Sequence, residues 1–478
     1  MEDYLEFVID LALKAGCKYV EARYQMDYSE TNLLKNGSPE VSAFSTQKGI
    51  SMRVLKDGGL GFAATNQLNK SGLRTLVKRV VSSTTRASSV RSKSIEFADT
   101  EPGQGKVEVK TRIPFDAVSL ESRLDLLSET DKAATEAAER MGIALPGRYL
   151  SLDTLMTEKL VMTSEGAQVY SRIPRVAIDV FLTALSDEKG SIQRYFSMGE
   201  SSGWEGVERW DLPNISAREV RTIAKIVNTA ERMDPEICDV VLGPEVVGIV
   251  SHESSGHPGE ADRILGREAA QAGETYLDKD SLGRKVGSDV VNVVEDPTVP
   301  RSFGYYLFDD EGVKARKRYL IREGRIDEFL HNRETASVFG VESNASSRSL
   351  AFNREPIVRM SNTFVEAGDH ELDELIEDVD HGIYIKNFME WNIDDRRYNQ
   401  RYVGLETYRI EGGEIKGLVR NPILEITTEA LWSSVDAVGK DVKYFSGYCG
   451  KGDPMQGIPV WMGGPPIRLR NVNMGGSA

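Results

Sequence analysis

The sequence predicts an α+β fold in two domains, an N-terminal sheet-and-helix domain over residues 1–232 and a strand-rich C-terminal domain over residues 233–478. Three observations lead there. Within the first half, apolar residues recur at helical spacing in some windows and alternate strictly in others. From Cys238 onward the texture changes to short apolar or alternating runs separated by Gly, Asn and Asp. No fixed-period repeat and no low-complexity tract interrupts either half, which argues against a solenoid or a propeller.

Leu5, Val8, Ile9, Ala12 and Leu13 fall on one helical face and Gly16 follows at a C′ position, so the chain opens with an amphipathic helix. Val20, Ala22, Tyr24 and Met26 then alternate with Glu21, Arg23 and Gln25, the pattern of a strand with one wet face. Ile50, Met52 and Val54 repeat the alternation. Lys56-Asp57-Gly58-Gly59 supplies the positive-φ residues of a tight hairpin, which returns through Gly61 to Thr65. Leu73, Leu76, Val77, Val80 and Val81 mark the next helix. Residues 92–116 mix charges with Pro102, Gly103, Gly105 and Pro114 and read as a long excursion or mobile loop. A helix over 117–141 and antiparallel strands across 151–198 follow. Ser216 and Glu219 form a capping-box pair ahead of Val220, Ile223, Ile226 and Val227, with Pro235 close behind. In the second half, residues 317–320, 357–360 and 382–385 read as strands, and Met474 to Ala478 as a loose tail.

Hydrophobic residues make up 40% of the 478 and charged ones 28%, as expected of a soluble, folded protein. Lys and Arg total 59 against 74 for Asp and Glu, a net charge of −15 that repels phosphate backbones and anionic lipid, so neither nucleic acid nor a membrane is expected as partner. The three cysteines, Cys17, Cys238 and Cys449, form no disulfide framework. The acidic start lacks a secretory h-region, and no segment is long and apolar enough to span a bilayer. Together these features predict a cytoplasmic protein.

The chemistry concentrates in Ser251-His252-Glu253-Ser254-Ser255-Gly256-His257-Pro258-Gly259-Glu260, which holds two of only five histidines. Two imidazoles and an adjacent carboxylate on one helix suit a catalytic zinc, whose bound water needs a proton acceptor. His252 and His257 are five residues apart, however, and on a regular α-helix they would diverge by about 140°. Gly256 and Pro258 flank the second histidine, so a kink or a wider turn is expected there. A third ligand could come from Cys449, His331, His370, His381 or Glu260. Cys449 is the most distinctive, in the glycine-rich loop Ser446-Gly447-Tyr448-Cys449-Gly450-Lys451-Gly452.

Other candidates have plainer readings. Asp309-Asp310-Glu311-Gly312 reads more readily as a turn than as a binding site, and His331, His370 and His381, among charged neighbours, read as solvated. Cys17 and Cys238 read as buried inert thiols, and Lys70, Arg74, Lys78 and Arg79 as a solvated helix face. Residues 455–461 read either as a core strand or as an edge that holds an extended peptide.

His252-Glu253-Ser254-Ser255-Gly256-His257 matches the H-E-x-x-x-H signature of the TldD branch of the TldD/PmbA family of zinc peptidases. Phe308-Asp309-Asp310-Glu311-Gly312, Arg359-Met360-Ser361-Asn362-Thr363 and Gly447-Tyr448-Cys449-Gly450-Lys451 resemble its later blocks in the same order. Gly16-Cys17-Lys18-Tyr19-Val20 and Gly61-Phe62-Ala63 are weaker matches. The resemblance implies a peptidase acting on short or unfolded peptides inside a closed cavity, paired with a second copy of itself or with a PmbA (TldE)-like subunit. It implies His252, His257 and Cys449 as Zn2+ ligands and Glu253 as general base. Two non-enzymatic rivals are a peptide-binding or regulatory subunit of such a complex and a regulator that contacts a DNA-processing enzyme.

Overall fold

A computed structural model describes residues 1–89, 93–186, 189–268 and 273–476 of this α+β protein. The N-terminal half is built on long strands: β1 Tyr19–Lys35, β2 Ser38–Lys56, β3 Gly59–Thr65, β4 Gln104–Glu108, β5 Ala144–Thr163, β6 Gln168–Ser186 and β7 Gly190–Glu200. They form one seven-stranded sheet in the order β3-β2-β1-β5-β6-β4, with β7 also on β6. All neighbours run antiparallel except β4 and β6. Asp57 at φ 51° and Gly58 at φ 74° make the tight β2–β3 turn that the sequence announces.

Helices cover the face that carries the even-numbered residues of β1. Helix α1, Glu2–Lys14, and helix α2, Lys70–Ser88, bury Leu5, Val8, Leu73, Leu76 and Val80 against Val20, Ala22, Ile50 and Met52. Helix α3, Leu120–Met141, and a short helix α4, Glu205–Trp210, precede α5, Leu212–Thr229. The apolar faces of α3 and α5 meet Leu34, Leu150, Leu152, Val176 and Ile178 further along the same sheet.

The opposite face of β1 is not wet. Glu21, Arg23 and Gln25 are 2%, 1% and 1% exposed, because the C-terminal half lies over them. Arg23 donates to Asp310 Oδ2 at 2.9 Å, Lys159 reaches Asp310 Oδ1 at 2.8 Å, and Arg53 bridges Glu21 at 2.8 Å and Glu311. The Asp309–Gly312 segment does turn, with Asp309 accepting from the amides of Glu311 and Val313. Its next two carboxylates then neutralise the basic side chains of the sheet. Burial alone would raise the Asp310 carboxyl, but Lys159 and Arg23 outweigh it and hold it at about 2. A polar stripe with period two thus marks a charge-paired interface rather than solvent.

Three further expectations are revised. The excursion over 92–116 contributes β4, and Ile95 packs on Tyr19 and Leu55; residues 90–92 lie outside the described ones. Helix α5 starts a turn earlier than the capping-box pair implies, because Pro213 in its first turn is already set for helical φ. Ser216 is therefore buried inside the helix, while Glu219 accepts from Arg194 Nε at 2.8 Å. Of the expected loose tail, Met474 and Gly475 end the strand Ile467–Gly475, with Met474 fully buried, and the last two residues lie outside the described ones.

The C-terminal half contains a nine-stranded and a six-stranded sheet. Strand β8, Glu236–Leu242, is central in the first, parallel to His381–Ile385 and antiparallel to Ile467–Gly475. The chain leaves β8 through Gly243 into helix α6, Pro244–Ser251, which is apolar on nearly every side and lies between the two sheets. Gly248 permits this: a Cβ there would meet the backbone of Met462 and Gly463 at 3.0–3.1 Å, on strand Gln456–Gly464 of the six-stranded sheet. Cys17 and Cys238 are buried thiols as expected. Among the described residues no helix is long and apolar enough to cross a membrane.

The buried charge interface has a measurable consequence. Replacing Arg53 by Met removes the shared partner of Glu21 and Glu311 and leaves two buried carboxylates facing each other, so unfolding stability is expected to fall by about 3–5 kcal/mol. Urea unfolding measures this as a lower midpoint at unchanged slope; a loss below about 1 kcal/mol would show that the interface tolerates an unpaired charge.

Candidate metal centre

Helix α6 does not end where its α-helical geometry does. His252–Gly256 continue as a π-helical turn, closed by the amide of His257 donating to the carbonyl of His252 at 3.1 Å. In this i→i+5 geometry residues five apart lie one above the other, as residues four apart do on an α-helix. The wide turn resolves the spacing: the imidazoles of His252 and His257 sit with ring centroids 5.0 Å apart. Gly256 makes room inside the turn, since a Cβ there would fall 2.0 Å from the sulfur of Met360. His257 keeps helical angles, φ −59° and ψ −44°, although Pro258 follows, so the turn overrides the usual preference before proline.

Cys449 arrives from the six-stranded sheet. Its glycine-rich segment is not a loop but the strand Lys443–Lys451, paired with Gln456–Gly464 so that Cys449 lies opposite Ile458. Arg359 fixes that strand by donating to the carbonyls of Cys449 and, at 2.8 Å, Gln456. The thiol sulfur is 3.4 Å from His257 Nε2. One ligand atom from each of His252, His257 and Cys449 lies within 4.8 Å of the others, and all three residues are buried.

The surroundings set the protonation of each group. Glu260 Oε2 lies 2.9 Å from His257 Nδ1, an arrangement that puts the proton on Nδ1 and leaves Nε2 as a donor to a metal. Glu260 is itself held by Lys451 at 3.3 Å and Arg263 at 3.3 Å. Burial alone would raise the Glu260 carboxyl, but Lys451, His257 and Arg263 keep it well below the usual carboxylate range. Burial lowers both imidazoles, so they are neutral near pH 7. Burial would raise the Cys449 thiol, yet His257 and Arg359 bring it down to about 7. His252 Nδ1 is buried without a hydrogen-bond partner. Two neutral imidazoles, one of them with an unpaired nitrogen, and an easily ionised thiol fit a zinc-type ion.

Glu253 is buried beside the group, and its carboxylate accepts from Arg397 at the turn between strands Phe388–Ile393 and Asn399–Gly404. Arg397 has a left-handed φ of 62°, and its carbonyl accepts from Thr428 Oγ1 at 2.9 Å. Nothing in the sequence pattern singles it out. Glu260 belongs to the recognised run, but it holds an imidazole rather than joining the ligand group. The other ligand candidates are engaged elsewhere. His331 is buried rather than solvated and bonds Thr335 Oγ1 at 3.1 Å, because its segment is packed under Phe329 and Phe339. His370 faces the Val438 carbonyl at 3.3 Å, and His381 pairs with Glu236 at 2.9 Å. Residues 456–461 lie on strand Gln456–Gly464, paired along its length with Lys443–Lys451 on one side and, from Trp461 onward, with Asn362–Val365 on the other.

The group opens into a cavity of about 840 Å³ between the two halves of the chain, lined by β7, α5 and the strand of Cys449. Arg194 of β7 ties one wall to the other, holding both oxygens of Glu245, in the first turn of α6, at 2.6 and 2.9 Å. Ser197 and Ser446 hydroxyls meet across the same boundary at 2.8 Å.

Comparison with known proteins gives a consistent answer along the chain. Residues 235–476 match the family model of the PmbA/TldA metallopeptidase C-terminal domain, residues 113–233 its central domain and residues 20–84 its domain 1. A protein of Methanothermobacter thermautotrophicus named as a metalloprotease is 29% identical over 476 residues, 99% of either chain. A Saccharolobus solfataricus protein named as a zinc metalloprotease TldD homolog is 30% identical over 256 residues, 53% of this chain and 55% of that one. The crystal structure of TldE from Thermococcus kodakarensis superposes with a TM-score of 0.75 at 17% identity, covering 99% of this chain and 100% of that one. From its first sheet to its last strand, the chain belongs to the PmbA/TldD family of metallopeptidases.

Proposed function

We propose that this protein is a zinc-dependent peptidase that hydrolyses peptide bonds in small or unfolded peptides, with His252, His257 and Cys449 as metal ligands and Glu253 as general base. One observation carries the proposal: three neutral or easily ionised donors converge within 4.8 Å at the wall of a large cavity, next to a buried carboxylate. A zinc ion held there would supply Lewis acidity, polarising a substrate carbonyl and lowering the pKa of water. Glu253 takes the proton from the attacking water and passes it to the leaving nitrogen. Glu260 and Lys451 keep His257 in the tautomer that donates from Nε2. Phe388, Phe445 and Met462 contribute apolar surface to the cavity walls, and a cavity of this volume admits a short extended segment.

In the same proposal the chain divides into functional domains at about residue 232, the N-terminal one roofing the cavity that the C-terminal one equips. The assembly contains two chains, either two copies or one copy with a TldE-like partner. The buried reduced thiols and the acidic balance suit a cytoplasmic setting.

Three outcomes are expected. Glu253→Gln retains zinc but loses about 10²- to 10⁴-fold in peptide cleavage, measured as turnover of a fluorogenic peptide library alongside elemental analysis; full turnover in the variant would remove the base assignment. Cys449→Ala purifies folded, by circular dichroism, but with far less than the roughly one zinc per chain expected of the wild type; undiminished zinc would exclude the thiolate ligand. Because binding requires the thiolate, the apparent zinc affinity is expected to fall about tenfold per pH unit below about 7, where Cys449 takes up its proton, and to level off above it. A competition titration with a chromophoric chelator follows this directly, and a flat profile across pH 6 to 8 would contradict it.

A further inference from the structure

Strand β2 is exposed along its whole first part, Ser38 to Lys48, on both of its faces. Its inner edge pairs with β1 throughout, whereas β3 covers the outer edge only from Ile50 onward. The outer ladder groups of the preceding residues therefore face away from any strand of this sheet. Natural edges are commonly protected by proline, bulges and charge. Here those devices stand at the ends: Pro39 and a bulge between Val41 and Pro39 at one, Lys48 at the other. The stretch between them, Val41-Ser42-Ala43-Phe44-Ser45-Thr46-Gln47, carries no charge, no proline and no glycine. Phe44 at its centre is 78% exposed, more than any other large hydrophobic residue among those described. An unprotected edge of that composition is an aggregation hazard unless another strand covers it.

We infer that the covering strand is the same segment of a second copy of this chain, paired antiparallel about a two-fold axis at Phe44. Self-complementarity singles out that occupant. Pairing about Phe44 sets ring against ring on the axis and Ser42 against Thr46 on either side of it, both favourable cross-strand pairs. It also brings the Lys48 end of each copy to the Glu40 end of the other, and among the described residues neither side chain has an ion-pair partner within its own chain. A parallel alignment would put like charges together. The resulting interface is isologous, the commonest kind in homo-oligomers, and it joins the two seven-stranded sheets into one. This pairing presupposes the two-chain assembly proposed above, with a second copy as the other chain, but it does not depend on the hydrolysis.

Sedimentation equilibrium of the full-length chain tests it. Wild type is expected to be a dimer at micromolar concentration. Phe44→Lys sets two ammonium groups against each other on the axis, while remaining compatible with the fold because its cross-strand neighbour on β1 is Glu30. It is expected to weaken association at least tenfold with an unchanged circular dichroism spectrum. Phe44→Cys is expected to cross-link to a covalent dimer under mild oxidation, and Ser38→Cys is not. A dimer indifferent to Phe44→Lys would overturn this surface while leaving the two-chain assembly standing, and a wild-type monomer would overturn both the surface and the second copy as partner.

Discussion

The hydrogen bond from the His257 amide to the His252 carbonyl is the constraint on which the candidate site depends. It widens one helical turn, and that turn converts a five-residue spacing from opposed to facing. On a regular helix the imidazoles would point about 140° apart and no third residue could complete a metal site with both. A π turn is uncommon because it is locally unfavourable, so it persists only where its surroundings hold it. Here the absence of a side chain at Gly256 lets the turn close against Met360, and the Glu260 carboxylate anchors the far ring.

The second constraint is charge paired out of solvent. Lys451 lies two residues beyond Cys449 on one strand and binds Glu260, so the cation that holds Glu260 against the second histidine is carried by the strand that delivers the thiol. Arg194 grips Glu245 at the start of helix α6 and joins it to the N-terminal sheet. On the far side of that sheet, Arg23, Arg53 and Lys159 receive the carboxylates of Asp310 and Glu311. These contacts fix the two halves relative to each other, and with them the cavity between. Desolvation offsets most of the attraction within such pairs, so their net contribution to stability is small although losing one partner is costly.

Much of this was legible in the sequence, and the failures have physical causes. Period-two alternation in Val20–Met26 correctly locates a strand, but alternation reports only that two faces differ, not that the polar one meets water. Glu21, Arg23 and Gln25 are buried because partners distant in sequence neutralise them. The conflict between the His252–His257 spacing and α-helical geometry was visible from the residues alone, as was its remedy in a wider turn beside Gly256. Cys449 stands out by its glycine neighbours, yet the segment pairs along its length with Gln456–Gly464 and is a strand rather than a loop. Ser216 and Glu219 imitate a capping box one turn inside a helix already started by Pro213. Arg397 left no trace, since its contact with Glu253 depends on a turn whose position only the tertiary structure sets.

The central claim is that the π turn and the strand Lys443–Lys451 together build one sulfur-containing metal site. X-ray absorption at the zinc K-edge of the purified, zinc-loaded wild-type chain tests it most directly. The account predicts one sulfur neighbour at about 2.3 Å together with nitrogen neighbours at about 2.0–2.1 Å. A shell of nitrogen and oxygen alone, with no sulfur, would contradict it.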